Sequence, residues 1–409
     1  MAEWLCSGLQ SRLRRFDSGF SLHSFMVNDV SCEICFKIKP KIAMKIPLTK
    51  LPITERDISN VNHVLRSGML VQGKEVEELE KRVGNLIGSD KVLAVTSGTA
   101  TMHLALIASG IGPGDEVIVP AFSYIATANV VELVGAKPIF VDININSFNI
   151  DVDQIEQAIN KKTRAIIPVH EFGMPAEMDK ILLLAKKYGL VVIEDGACAL
   201  GAKFKNKSVG TFGDFGSFSL HPRKSITSGE GGLLVVKNKA KYNLIKSLRN
   251  HGITSTKKGP EFSHAGLNYR MTDIQASLVK GQVKRLSSIT KKREKVCRTY
   301  NQILDLSWIT KPPLIANTEP SFQSYHLIIA HDVKRDALIK HLLSKGIQST
   351  YGAQCIPFTK FYATKYNLDK KNYSNAQLAY NKGLVLPLFG SMSTKECKAV
   401  FEALKKFKK

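Results

Sequence analysis

From about residue 53 onward, apolar residues recur with two spacings that take turns along the chain. Glu55–Ser67 and Val76–Ile87 place them at helical spacing and predict two helices with one apolar face each. Lys91–Thr96 (KVLAVT) is a short apolar run of strand type, Ser97-Gly98-Thr99-Ala100 interrupts it, and Met102–Ile107 continues as a buried helix. Glu116–Pro120 and Pro138–Asp142 predict strands on either side of a helix over Ser123–Leu133. Ala165–Val169, Val191–Ile193 and Leu233–Val236 extend the series, with a helix over Met178–Tyr188 among them. Apolar, β-branched strands separated by helices of roughly 10–15 residues predict an α/β fold: a mostly parallel sheet flanked by helices.

The texture changes towards the end. Thr272–Leu304 predicts one long helix rich in Lys and Arg, linking a large domain over residues 44–300 to a smaller α+β domain over 301–409. In the smaller part Tyr325–Ala330 reads as a strand and Arg335–Ser344 as a helix. The last helix gathers Cys397, Val400, Phe401, Leu404 and Phe407 on one face, and Ser393 with Glu396 predicts a capping box at its start. Residues 1–43 follow neither period. They carry Arg12, Arg14 and Arg15 but also Glu3, Asp17, Asp29 and Glu33, which argues against an organelle transit peptide. They read as a disordered or mis-started extension, with Met44 as the functional start. Their single pair Cys32/Cys35 lacks the two further ligands that a zinc site needs, so no metal is expected.

Composition narrows the classes. The formal net charge of +23 first suggests nucleic acid, a membrane surface or an anionic substrate. Of the 58 basic residues only 14 are Arg, whereas base recognition leans on Arg forks, so no nucleic-acid role is expected. No run of about 18 apolar residues predicts a membrane span. Seven scattered Cys in a chain of 409 residues fit reduced thiols and a cytoplasmic location better than a disulfide framework.

Three segments carry candidate chemistry. In Thr96-Ser97-Gly98-Thr99-Ala100 a strand passes through a small turn into a helix, and the free amides there suit a phosphate; an ordinary helix cap would look the same. Val191–Ala197 (VVIEDGA) delivers Asp195 to the carboxyl end of a strand, where it needs a metal, a ribose or a protonated ring nitrogen as partner. Ser217–Gly232 (SFSLHPRKSITSGEGG) sets Lys224 after small hydroxyl residues and before a glycine-rich turn, a context in which a dry pocket and a nearby cation would lower the lysine's pKa. A phosphate cradle, an Asp and a Lys in this order meet the needs of pyridoxal 5'-phosphate (PLP).

At these residues the chain resembles the DegT/StrS-type sugar aminotransferases, PLP enzymes of fold-type I. The resemblance runs from about Ile46 to Lys406 through IPLTKLPITERDI, SGMLVQGKEVEELE, VTSGTATMHLAL, VPAFSYIATAN, VIEDGACALGA, SFSLHPRKSITSGEGG, GLNYRMTDIQA and LVLPLF. It implies that Lys224 bonds the cofactor, that Asp195 pairs with its ring nitrogen, and that Tyr124 stacks on its ring. It further implies that Gly98, Thr99 and Ser219 hold the phosphate, and that Asn268 reaches the cofactor of a second subunit, hence a homodimer with shared active sites. Cys198 stands where the family often has Gln, His or Glu near the phenolic oxygen, and a thiol is a weaker donor. Gly196 replaces the usual Ala. Gln72, His221 and Arg270 are candidate substrate contacts, each of which also has a structural reading. The implied reaction moves an amino group from an amino acid, usually glutamate, to a nucleotide-linked keto sugar for amino-sugar or polysaccharide biosynthesis. The alternatives are a PLP-dependent sugar dehydratase, whose branch replaces the lysine with His, and a catalytically idle regulatory homologue.

Overall fold

In a computed structural model of the protein, residues 45–257 and 259–408 are described. The expectations for the extension, Cys32, Cys35 and Met44 lie outside the described residues. Seven strands form the main sheet: β1 (Val92–Val95), β2 (Glu116–Pro120), β3 (Lys137–Val141), β4 (Thr163–Ile166), β5 (Val191–Asp195), β6 (Phe215–Ser219) and β7 (Gly232–Val236). Their spatial order is β1-β7-β6-β5-β4-β2-β3. Pairing is parallel from β6 through β5, β4 and β2 to β3, whereas β7 runs antiparallel to both its neighbours. The sheet is therefore mixed with one reversed strand, and β1 points the same way as β6.

Both faces of the sheet are covered, which explains the nearly continuous apolar runs. Leu93, Val95, Leu234 and Ile193 join α3 (Gly98–Ala108) and α4 (Ala126–Leu133) in one core, and Val92, Ala94, Leu233 and Val235 pack with α2 (Lys74–Ile87) in another. Alternate residues of one strand thus supply two cores. α1 (Glu55–Ser67) and α2 lie against a long helix, α8 (Asp273–Ile303). Between them come α5 (Val152–Ala158), α6 (Met178–Tyr188) and α7 (Lys239–Leu248). A second, antiparallel sheet of Ile309–Thr310, Tyr325–Ile329 and Gly383–Leu386 packs with Arg335–Ser344, Thr394–Lys405 and the end of α8 around Tyr300, Leu327 and Leu386.

The pattern-based elements recur with small changes. The helix expected from Ser123 begins only at Ala126, because Phe122–Ser123 pairs with Gln354–Cys355 and the extended backbone there cannot also start a helix. β6 was not among the expected strands: its sequence, FGSFS, has weak strand propensity. The Gly216 position needs its missing side chain, since a Cβ would stand 2.1 Å from the Gly210 carbonyl oxygen.

The capping box of the last helix is formed. The Glu396 amide donates to Ser393 Oγ at 3.2 Å, and the Ser393 amide donates to Glu396 Oε2 at 2.7 Å. Ser393→Ala is expected to lower stability by about 1 kcal/mol in urea denaturation. An unchanged midpoint would show that water replaces the cap.

Candidate active site

Because β1, β6, β5, β4 and β2 point the same way, their carboxyl ends share one edge of the sheet. In spatial order this edge presents the Ser97–Thr99 turn after β1, Ser219 at the end of β6, Asp195 at the end of β5, Glu171 shortly after β4, and Tyr124 after β2. Residues separated by more than a hundred positions thereby meet.

The turn after β1 opens α3. Ser97 Oγ accepts the Ala100 amide at 3.1 Å, and the amides of Gly98 and Thr99, first in the helix, have no acceptor within it. Gly98 lies so close to Ser219 that a Cβ would sit 3.0 Å from the serine Cβ. Two amides free of helix partners thus lie close to a serine hydroxyl, an arrangement that suits a phosphate group.

Asp195 is 4% exposed. Its Oδ2 accepts from Thr127 Oγ1 at 2.8 Å and its Oδ1 from the Ala197 amide at 3.1 Å. Ser123 Oγ lies 3.2 Å from Thr127 Oγ1. These contacts fix the carboxylate and leave lone pairs for a further donor. The neighbouring acid, Glu194, turns to the other side of β5. It accepts amides from Gly210 (2.7 Å), Phe212 (2.7 Å) and Gly213 (2.8 Å), and its Oε2 lies 3.1 Å from His170 Nε2. The Ala176 amide donates to His170 Nδ1 at 3.0 Å, so Nε2 bears the ring hydrogen and donates to Glu194.

Lys224 Nζ donates to Cys198 Sγ at 3.2 Å. Burial by itself would lower the Lys224 pKa. Cys198, Asp195 and Glu171 outweigh it and hold the ammonium above the ordinary lysine value. The sequence had suggested the opposite shift; three acidic groups meeting one cation are the reason. Burial raises the Cys198 thiol above its usual pKa, although Lys224 pulls the other way.

Sequence reasoning missed Glu171. It is 6% exposed, and its carboxyl interacts electrostatically with Asp195 and Lys224. Burial first, then the charge of Asp195, pushes its pKa up to about 8. The signal was present: His170-Glu171 follows a predicted strand, just as Asp195 ends one. Folding thus raises this pKa from 4.5 to about 8, so stability is fully present below pH 4.5 and declines as pH rises towards 8. In the cofactor-free protein, urea denaturation across this window should show the parent losing stability relative to Glu171→Gln. Parallel curves would mean that Glu171 ionises normally.

The remaining expected residues lie around this centre or away from it. Tyr124 is 66% exposed and offers a bare ring face. Asn268 is exposed, in a bridge with Asn250. Arg270 Nη1 donates to Asn250 Oδ1 at 2.6 Å, which gives it a structural partner. His221 Nδ1 accepts the Arg223 amide at 3.1 Å. Gln72 lies in the link between α1 and α2, and its side-chain oxygen is buried without a hydrogen-bond partner among the described residues. No group of three or more His, Cys, Asp or Glu among the described residues could hold a metal.

The model of the DegT/DnrJ/EryC1/StrS aminotransferase family matches residues 52–405. The chain belongs to that family. Similar proteins agree with this. The chain is 34% identical over 377 residues to the UDP-4-amino-4-deoxy-L-arabinose–oxoglutarate aminotransferase of Shewanella sediminis, covering 88% of this chain and 97% of the relative. A Streptococcus pneumoniae protein provisionally assigned as a sugar aminotransferase superposes with a TM-score of 0.83 in its PLP form, at 31% identity, covering 88% of this chain and 97% of that one. It is also known in a PMP form. Helicobacter pylori PseC, an aminotransferase of pseudoaminic acid biosynthesis, superposes with a TM-score of 0.84 at 27% identity, over 88% and 98% of the two chains. As a member of the DegT/DnrJ/EryC1/StrS family this protein is a PLP-dependent aminotransferase of the sugar-modifying kind. The residues at this sheet edge suit that cofactor: they include an amine, an oriented carboxylate and a two-amide turn.

Proposed function

We propose that this protein transfers an amino group from glutamate to a nucleotide-linked keto sugar, with Lys224 and Asp195 as its catalytic pair. The observation that carries the reading is the meeting of Lys224, Asp195 and the Ser97–Thr99 turn at one sheet edge, from three distant segments. The relative from Shewanella sediminis, named for a UDP-linked amino sugar and oxoglutarate, supports the substrate class.

Bound PLP supplies an electron sink and carries the amino group between the two substrates. Lys224 would be the amine that bonds it and the base that moves a proton at the substrate carbon. Its ammonium must first lose a proton, which the neighbouring Cys198, Asp195 and Glu171 resist in the cofactor-free chain. Asp195, held by Thr127 and Ala197, would accept a hydrogen bond from the ring nitrogen and favour its protonated form. Gly98, Thr99 and Ser219 would hold the phosphate and Tyr124 would stack on the ring, while Cys198 lies beside the Lys224 amine.

The active form is a homodimer in which Asn268 reaches the partner's cofactor. The exposure of Asn268, and of Met69 (70%) and Val71 (69%) next to Gln72, supports this. Gln72, His221 and Arg270 are the candidate substrate contacts, and the basic surface attracts the substrate's diphosphate. The large domain over residues 44–300 carries the cofactor, and the smaller domain over 301–409 braces the Lys224 segment, where Gln323 bonds Ser225 and Arg223 and Ser321 bonds the Cys198 carbonyl.

The test is incubation with glutamate and a panel of UDP-, dTDP- and GDP-linked keto sugars, followed by mass spectrometry of the products. Amine transfer to one of them, with oxoglutarate formed in equal amount, is the expected result. Loss of water without amine transfer would mean lyase chemistry instead, and an inert panel would overturn the substrate class.

A further inference from the structure

Three loops at the active-site edge of the sheet are tied to one short segment from beyond α8. The amide of the buried Ser321 donates to the Gly173 carbonyl oxygen at 3.1 Å, after β4. Its Oγ donates to the Cys198 carbonyl oxygen at 2.6 Å, after β5. Gln323 Nε2 donates to the Arg223 carbonyl oxygen, and Gln323 Oε1 accepts from Ser225 Oγ at 3.2 Å, after β6. A carbonyl only accepts, so this is the one orientation of the amide that serves both neighbours. Arg223 and Ser225 flank Lys224. Both polar ends of one buried side chain are thus spent on the two neighbours of the reactive amine.

The segment is itself held from behind. Arg293, buried in α8, donates from Nε to the Phe322 carbonyl oxygen at 2.8 Å and from Nη2 to that of Gln323 at 2.6 Å. Two successive carbonyls on one planar guanidinium leave the segment little freedom. Phe322 has a φ of +53°, costly for a bulky residue and kept only where the surroundings over-determine it. Gln282 lies about three turns before Arg293, on the same face of α8. It holds the far side of the lysine loop: the Thr227 amide donates to Gln282 Oε1 at 3.0 Å, and Gln282 Nε2 donates to the Thr227 carbonyl oxygen at 2.9 Å. A closed ring therefore runs from α8 through Gln282, residues 223–227, Gln323 and Arg293 back to α8, with Lys224 inside it. Ser321 extends the same frame to Cys198, whose Sγ meets the Lys224 amine.

We propose that Gln323 is a positioning residue for Lys224: anchored on Arg293, it fixes the two residues flanking the lysine and so sets where the amine can reach. This rests on the reading of Lys224 given under the proposed function. Gln323→Met keeps the length and loses both hydrogen bonds. Ser225→Ala loses one of them from the lysine's side and leaves Ser321–Gln323 unaltered.

The first arm of the experiment uses the cofactor-free protein. Competitive acetylation with acetic anhydride, read by mass spectrometry, compares Lys224 with the exposed Lys161 and Lys398 of the same molecule. In the parent, Cys198, Asp195 and Glu171 hold Lys224 as the unreactive ammonium. Gln323→Met frees the loop and should raise the Lys224 labelling relative to Lys161 by about fivefold, and Ser225→Ala by a smaller factor. The double variant should match Gln323→Met, where the Ser225 bond is already gone. In the second arm PLP is added, and the rate at which the lysine-bound absorbance appears should fall about tenfold in Gln323→Met. A small reagent needs no orientation, whereas a cofactor held at its phosphate does. Ser393→Ala, which costs stability elsewhere, should leave both readings at the parental values. An unchanged labelling ratio in folded Gln323→Met or Ser225→Ala, multiplying effects in the double, an unchanged rate with PLP, or the same shifts in Ser393→Ala would each overturn the proposal. Lys224→Ala is the control for the site: if that variant still forms the lysine-bound absorbance, the reading of Lys224 has failed rather than the role of Gln323.

Discussion

Lys224→Ala should erase the visible absorbance of the lysine-bound cofactor and slow amine transfer by about 10⁴-fold or more, since nucleophile and proton carrier are lost together. Lys224 is the amine that reaches Cys198 at 3.2 Å and interacts with Asp195 and Glu171. The 44 lysines of the chain are distinguished only by such surroundings. Lys224→Arg separates charge from reactivity. It keeps a cation among the three acids, so the fold should persist, while a guanidinium neither bonds the cofactor nor moves the proton. Absorption spectra and single-turnover amine transfer check both variants. A Lys224→Ala protein that retained the absorbance would assign the role to another lysine.

The largest stability effect is expected at Glu194, one residue before Asp195. It is fully buried and accepts from three backbone amides and His170. Glu194→Ala strands all four donors in a dry region and is expected to cost about 3–5 kcal/mol in urea denaturation, the usual result of breaking a buried charged network from one side. Glu194→Gln keeps an acceptor oxygen and should cost less. A loss below about 1 kcal/mol in the alanine variant would mean that water enters and satisfies the loop. Because β5 also carries Asp195, the destabilised variant should bind PLP more weakly even though Glu194 faces away from the pocket.

Much of the protein was legible in its residues. Helical and strand periods placed Glu55–Ser67, Glu116–Pro120, Met178–Tyr188 and Arg335–Ser344 with the bounds they have in the structure. Strong local patterns and caps leave few alternatives over those stretches. β6 escaped because its glycine and serines look like a turn, and its strand form comes from two neighbours that hydrogen-bond it on both sides. Glu171 escaped for a related reason. A carboxylate after a strand is common on surfaces, and only burial beside Asp195 changes its chemistry.

The sequence by itself determined the alternation of strands and helices and marked Lys224, Asp195 and the Ser97–Thr99 turn as candidates, because periodicity is a local property and the motifs resemble those of the family. Only the tertiary structure decided which of two adjacent acids, Glu194 or Asp195, faces the pocket, since successive side chains of a strand point to opposite sides and the order β6-β5-β4 selects the side. It alone turned the expected shift of Lys224 upward, by bringing Cys198, Asp195 and Glu171 to the same amine. Protonation depends on which charges and dipoles meet after folding, and those neighbours come from strands far apart in the chain.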